Sequence, residues 1–186
     1  VADFAQRVEA LEKKRGLRPG HTVFLAQVES VHAMANLDAI AAAPRVAAMN
    51  LGVDDFCLST GGLPSLESLT LPTQLLLYAA RRAGIAPLGF AGSVSNYGDL
   101  DVFRSLIRHA RGLGYRGALC IHPTQVAVLN EVFAPSAEEL AEARAMLDAY
   151  EKAEAEGRGA AAYQGRMIDA PVVKRLRALL AGKTAR

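Results

Sequence analysis

Apolar positions along this chain follow two alternating rhythms. Short apolar runs occur at Val23–Val28, Val46–Leu51, Ile85–Phe90 and Gly117–Ile121. Runs this short, bounded by Gly, Pro or acidic residues, predict buried strands. Between them the apolar residues move to helical spacing. In residues 30–43 they are Val31, Met34, Leu37 and Ile40. A second helix is predicted over Leu69–Ala83, stopped by Gly84. A third is capped by Asp99 or Asp101 and ends near Leu113. A fourth runs from Pro123, whose ring suits a first helical turn, through Val132. Ahead of all these, Asp3–Arg15 reads as an amphipathic helix with Phe4, Val8 and Leu11 on one face, ended by Gly16. Residues 58–68, with Gly61, Gly62 and Pro64, predict a loop, as does the Gly/Ser stretch from Ala91 to Asp99.

Strand and helix thus alternate four times, the signature of parallel α/β structure. A (β/α)8 barrel needs about 250 residues for eight such units. Four units read as the C-terminal half of a TIM-type barrel, residues 1–134, followed by a helical extension, residues 135–186. The chain opens at Val1 inside a helical pattern, as expected for the middle of a longer polypeptide. In the extension, Ser136 and Glu139 form a capping box for a helix to about Glu156. A Gly-rich flexible or hairpin-like connection follows. Met167-Ile168-Asp169-Ala170-Pro171 then leads into a last helix, Val172–Leu180.

Composition narrows the function. With 186 residues, 51% of them hydrophobic, the chain is long enough for a full core, and its net charge of +2 gives no basic footprint for nucleic acid. No apolar run reaches membrane-spanning length, and no secretory signal is present. Cys57 and Cys120 sit in apolar surroundings without metal-type spacing and read as reduced, buried thiols in a cytoplasmic protein.

Chemistry concentrates where the first two strands end. Val23–Val28 runs into Glu29, and Val46–Leu51 runs through Gly52 and Val53 into Asp54 and Asp55. In a strand–helix–strand unit the two strands lie parallel, so these acids emerge on the ligand-binding edge of the sheet. A carboxylate at each of two strand ends suits Mg²⁺, which takes oxygen ligands and keeps several waters. The same residues also read as a helix N-terminal charge, Glu29, and turn residues, Asp54 and Asp55. On spacing alone the plainer reading leads.

Several stretches together resemble the citrate lyase beta-subunit and malyl-CoA lyase family of aldolases. They are Q-V-E-S at 27–30, L-G-V-D-D-F at 51–56, G-A-L-C-I-H-P-T-Q-V at 117–126 and N-E-V-F-A-P-S at 130–136. The last is E-K-A-E-A-E-G-R-G-A at 151–160, followed by G-R-M-I-D-A-P-V-V at 165–173. The resemblance implies that Glu29 and Asp55 hold Mg²⁺, with Asp54 beside them where relatives often carry Glu. It implies a carbon–carbon bond made or broken next to a CoA or acyl-carrier thioester, with a 2-keto acid on the metal. The backbone N–H groups of Gly52, Val53 and Asp54 would cradle the substrate carboxylate, with Gly52 allowing close approach. Asp169 would be the acid/base residue, delivered to a neighbouring subunit of a homo-oligomer, a trimer or hexamer; by its position alone it reads as a helix cap. His122 would line the same mouth, as a CoA contact or a satisfied strand-end histidine. Ser93, Ser95 and Asn96 face that mouth on their loop. His21, His32 and His109 read as surface or packing residues, and Met34 and Met49 as core.

The resemblance implies first an Mg²⁺-dependent lyase for a malyl-, citramalyl- or citryl-type thioester. Thioester hydrolysis or malate-synthase-like condensation on the same site is a second reading. A non-catalytic half-barrel subunit is a third. The family's cationic residues for the acid and the CoA phosphates lie in the half of the barrel that these residues do not include.

Overall fold

The computed structural model describes residues 1–182. It divides into two compact units, Val1–Phe133 and a second from Ala134 onward.

The first unit is built on a parallel sheet in the order β1-β2-β3, with β1 Phe24–Val28, β2 Val46–Leu51 and β3 Ala86–Pro87. β1 and β2 pair in parallel from Leu25 opposite Ala48 to Val28 opposite Leu51. That register brings the two strands to their carboxyl ends side by side. Val28, Met49 and Leu51 are buried in a cluster with Leu69, Leu76 and Ala79. Each large side chain so buried contributes about 1.5–3 kcal/mol of transfer free energy.

Two expected strands differ. Ile85–Phe90 reduces to Ala86–Pro87, because Pro87 has no N–H and Gly89 turns to φ 131°. Past it, the Leu88 N–H donates to Met49 C=O and the Gly89 N–H to Gly117 C=O. Gly117–Ile121 forms no strand. The Ile121 and His122 N–H groups donate instead to the side chain of Gln125. A local side-chain acceptor has taken the donors a ladder would use.

The helices are α1 Ala2–Lys14, α2 Val31–Met34, α3 Leu37–Ala41, α4 Val53–Thr60, α5 Leu66–Ala83, α6 Leu100–Leu113 and α7 Pro123–Phe133. The single helix expected over residues 30–43 is two. The Asn36 side chain donates to His32 C=O, the acceptor its own N–H would need in a continuous helix, and that N–H goes to Ala33 C=O. The expected loop 58–68 is shorter. α4 runs to Thr60 and closes on left-handed Gly61, and Ser65 with Ser68 caps α5 three residues ahead of its expected start.

In α1 the expected face is the wrong one: Phe4 and Leu11 are exposed, while Ala5 and Glu12 are buried. Glu12, 2% exposed, explains the rotation. Arg45 donates to both its oxygens at 2.9 Å, and the Gly20 and Thr22 N–H groups add bonds of 3.0 and 2.7 Å. Arg45 adopts φ 70° to do so.

The second unit contains α8 Ala137–Ala155, an antiparallel hairpin of β4 Ala161–Tyr163 and β5 Arg166–Ile168, and α9 Ala170–Leu180. Ser136 and Glu139 make the capping box. Ile168, Val173 and Leu176 pack with Met146, Leu147 and Tyr150.

Candidate active site

The first unit has a cavity of about 330 Å³ at the carboxyl ends of its strands. Its walls include Gln27, Asn50, Gly52, Val53, Asp54 and Asp55, the loop residues Gly92 and Val94, and Leu119 to Ile121.

Glu29 follows β1 and lies across Gly52. A Cβ built on Gly52 would stand 2.5 Å from Glu29 Cγ, 2.7 Å from Oε1 and 2.9 Å from Gln27 Nε2. A side chain at this position would have to displace the exposed Glu29 and Gln27 side chains, so glycine lets Glu29 lie close over the backbone. The Gln27 amide donates to Glu29 Oε1 and fixes its direction. Asp55, in the first turn of α4, lines the cavity of which Gly52 is also part. Asp55 therefore lines the cavity, whereas Glu29 is exposed, lies over the adjoining Gly52 and does not line the cavity itself.

Asp54 is engaged differently. Its Oδ2 accepts from Ser93 Oγ at 2.9 Å and Ser95 Oγ at 3.1 Å. Those serines therefore hold Asp54 on the loop after β3. Asn96 lines a separate cavity with Pro64, Ser65 and Phe103. The Gly52 N–H donates to Val28 C=O at 2.8 Å, so the first-turn donors of α4 without an intrahelical acceptor are those of Val53, Asp54 and Asp55. The Val53 side chain is buried.

His122 is half-buried and stacks on Tyr97, ring centroids 4.8 Å apart and planes 9° off parallel. Its Nδ1 lies 2.8 Å from Thr124 Oγ1. Ile121 is the neighbour that reaches the cavity. Asp169, in the second unit, is the N-cap of α9 and accepts from the Val172 N–H at 3.3 Å. His21 and His32 are exposed and Met49 is core, while Met34 packs against that core. Cys57 is buried, and burial together with Asp54 pushes its thiol pKa up. Cys120 is only half-buried and lines the cavity, contrary to the expected buried thiol, since no strand covers its segment.

Three residues escaped the sequence. Gln27 orients Glu29. Asn50 is buried in the cavity wall with its Oδ1 unpaired among the described residues. Leaving such an atom unpaired costs about 1–3 kcal/mol, and a bound group donating to it removes that cost. Gln125 is fully buried and bonds two loops at once. Only the Q-V-E-S and H-P-T-Q motifs signalled two of them. Among the described residues no three His, Cys, Asp or Glu side chains cluster to hold a metal. A two-carboxylate site with amide oxygens nearby suits a hard cation that keeps its waters, and suits Zn²⁺ poorly.

A parallel α/β sheet with a cavity at its strand ends is an enzyme-type architecture, and the family match makes the class specific. Residues 1–123 match the HpcH/HpaI aldolase/citrate lyase family, and the chain belongs to it. It is 38% identical over 159 residues to a citrate lyase subunit beta-like protein of Deinococcus radiodurans, covering 84% of this chain and 55% of that one. It is 36% identical over 187 residues to an L-malyl-CoA/beta-methylmalyl-CoA lyase of Cereibacter sphaeroides, covering 90% and 58%. Among solved structures, the CitE protein of Mycobacterium tuberculosis, in complex with magnesium, acetoacetate and coenzyme A, matches with a TM-score of 0.72 at 28% identity. That match covers 86% of this chain and 59% of that one. The chain therefore spans little more than half the length of these relatives.

Proposed function

We propose that the protein is an Mg²⁺-dependent carbon–carbon lyase. It cleaves a malyl-, citramalyl- or citryl-type thioester of CoA or an acyl carrier into an acetyl or acyl thioester and a 2-keto acid. The observation that carries this reading is the strand-end cavity with Asp55 in its wall and Glu29 lying over Gly52 at its edge. Family membership and relatives named as lyases support it.

In this reading Glu29 and Asp55 hold the cation, which when bound polarises the keto oxygen as a Lewis acid. Gln27 keeps the Glu29 carboxylate aimed. The Val53 and Asp54 N–H groups, at the positive end of α4, receive the substrate carboxylate. Asp169 holds or moves the proton at the acetyl carbon. Residues 1–134 are then the C-terminal half of a (β/α)8 barrel. Residues 135–186 are an extension that carries Asp169 to a neighbouring subunit of a trimer or hexamer in the cytoplasm.

The test is incubation of the full-length gene product with malyl-CoA, citramalyl-CoA and citryl-CoA, with and without Mg²⁺, assaying keto acid. Release that needs Mg²⁺ and disappears in Glu29→Gln and Asp55→Asn is expected. Full activity in either variant, or no release from any thioester, overturns the reading.

A further inference from the structure

The H-P-T-Q segment carries a device that the proposed chemistry does not use. Gln125, at the start of α7, is fully buried, yet all the polar atoms of its side chain are committed. Its Oε1 accepts from the Ile121 N–H at 3.0 Å and the His122 N–H at 3.2 Å, and its Nε2 donates to Val94 C=O at 3.1 Å. One side chain therefore ties the Cys120–His122 segment to the loop after β3. Both lend residues to the 330 Å³ cavity: Val94 and Gly92 from one, Leu119, Cys120 and Ile121 from the other.

The tie falls at a particular point. Val94 sits between Ser93 and Ser95, the two residues whose hydroxyls hold Asp54. The Ser95 N–H also donates to Ser93 Oγ at 3.1 Å, so the three residues form one small turn. Outside the cavity the same two segments meet again, where Tyr97 stacks on His122. Buried amides with all partners met rigidify what they join, and each bond left unmade costs more than it gave.

We infer that Gln125 is the positioning residue of this site. It joins the two loops into one cavity wall. Through Val94 it keeps the serine pair on Asp54, and so holds Asp54 in the cavity wall beside Asp55. The inference rests on the proposed lyase reading only for what the cavity takes in.

Four full-length proteins decide it: wild type, Gln125→Met, Ser93→Ala/Ser95→Ala, and the three changes combined. Gln125→Asn, a methylene too short to span both loops, stands in should Gln125→Met not fold. Hydrogen–deuterium exchange of the 91–98 peptide is the first readout. Roughly tenfold faster opening in the Gln125 variant is expected, the weight of one lost hydrogen bond. The second readout is turnover of the cleaved thioester. KM should rise about tenfold while kcat changes little, and the combined variant should be no worse than Gln125→Met, because both act on one latch. Unchanged exchange at 91–98, or additive effects on KM, overturns the inference. If no thioester is cleaved, the lyase reading fails, and the exchange arm still decides the role of Gln125.

Discussion

At the residue scale, two positions do what no propensity would assign them. Gly52 has φ −80°, which any residue tolerates, so its identity is set by space alone. Gly52→Ala should therefore push the exposed Glu29 and Gln27 side chains aside at a cost of about 0.5–1.5 kcal/mol. Most of the cost should be relieved in a Glu29→Ala background, since the Glu29 side chain supplies the two nearest atoms that the new methyl meets and Gln27 the third. Urea denaturation of the four proteins in that cycle measures it, and equal cost in both backgrounds would refute the steric account. Glu12 is the second. The Arg45 guanidinium first, then the Thr22 N–H, hold its carboxyl down to about 2 from the usual 4.5. Its contribution to stability is therefore complete above pH 4.5 and is lost as pH falls from 4.5 through 2. An acid titration of stability should steepen across that window in the wild type and flatten in Glu12→Gln.

At the element scale, Asp169 caps α9 whatever else it does. Asp169→Ala should cost about 1 kcal/mol as a lost N-cap, whereas Asp169→Asn should keep the cap. Comparing the two separates structure from chemistry. If Asp169 moves a proton, Asp169→Asn stays folded with its thermal midpoint nearly unchanged and yet loses keto acid release. A fully active Asp169→Asn would leave Asp169 a cap and nothing more. Elements also show where local pattern misled. The break between α2 and α3 has one asparagine side chain on a helix carbonyl, and the end of the expected fourth strand has one glutamine on its N–H groups. Each is a side chain competing with backbone for a backbone group, and apolar periodicity carries no record of that competition.

At the scale of the whole molecule, two compact units divide the labour of the sequence: the first has the strand-end cavity, the second the Asp169 cap. No helix among the described residues is long and apolar enough to cross a membrane. The proposed delivery of Asp169 to a neighbour requires an oligomer. Light scattering of the full-length gene product should give a trimer or hexamer. Mixing an inactive Glu29→Gln protein with an inactive Asp169→Asn protein should then restore part of the activity, because some shared sites receive both wild-type residues. A stable monomer, or no complementation among subunits that demonstrably exchange, would sink that arrangement.

The sequence by itself determined the first two strands and the acids that follow them, the position of a short third strand, the Ser136 capping box and the family. Those features are written in short-range spacing and in motifs. Only the tertiary structure decided that Glu29 overlies Gly52, that Asp54 belongs to two serines some forty residues away, and that Gln125 joins two loops. The physical reason is that such contacts depend on strand register and on which buried donor finds which acceptor. Neither quantity exists until the chain has folded back on itself.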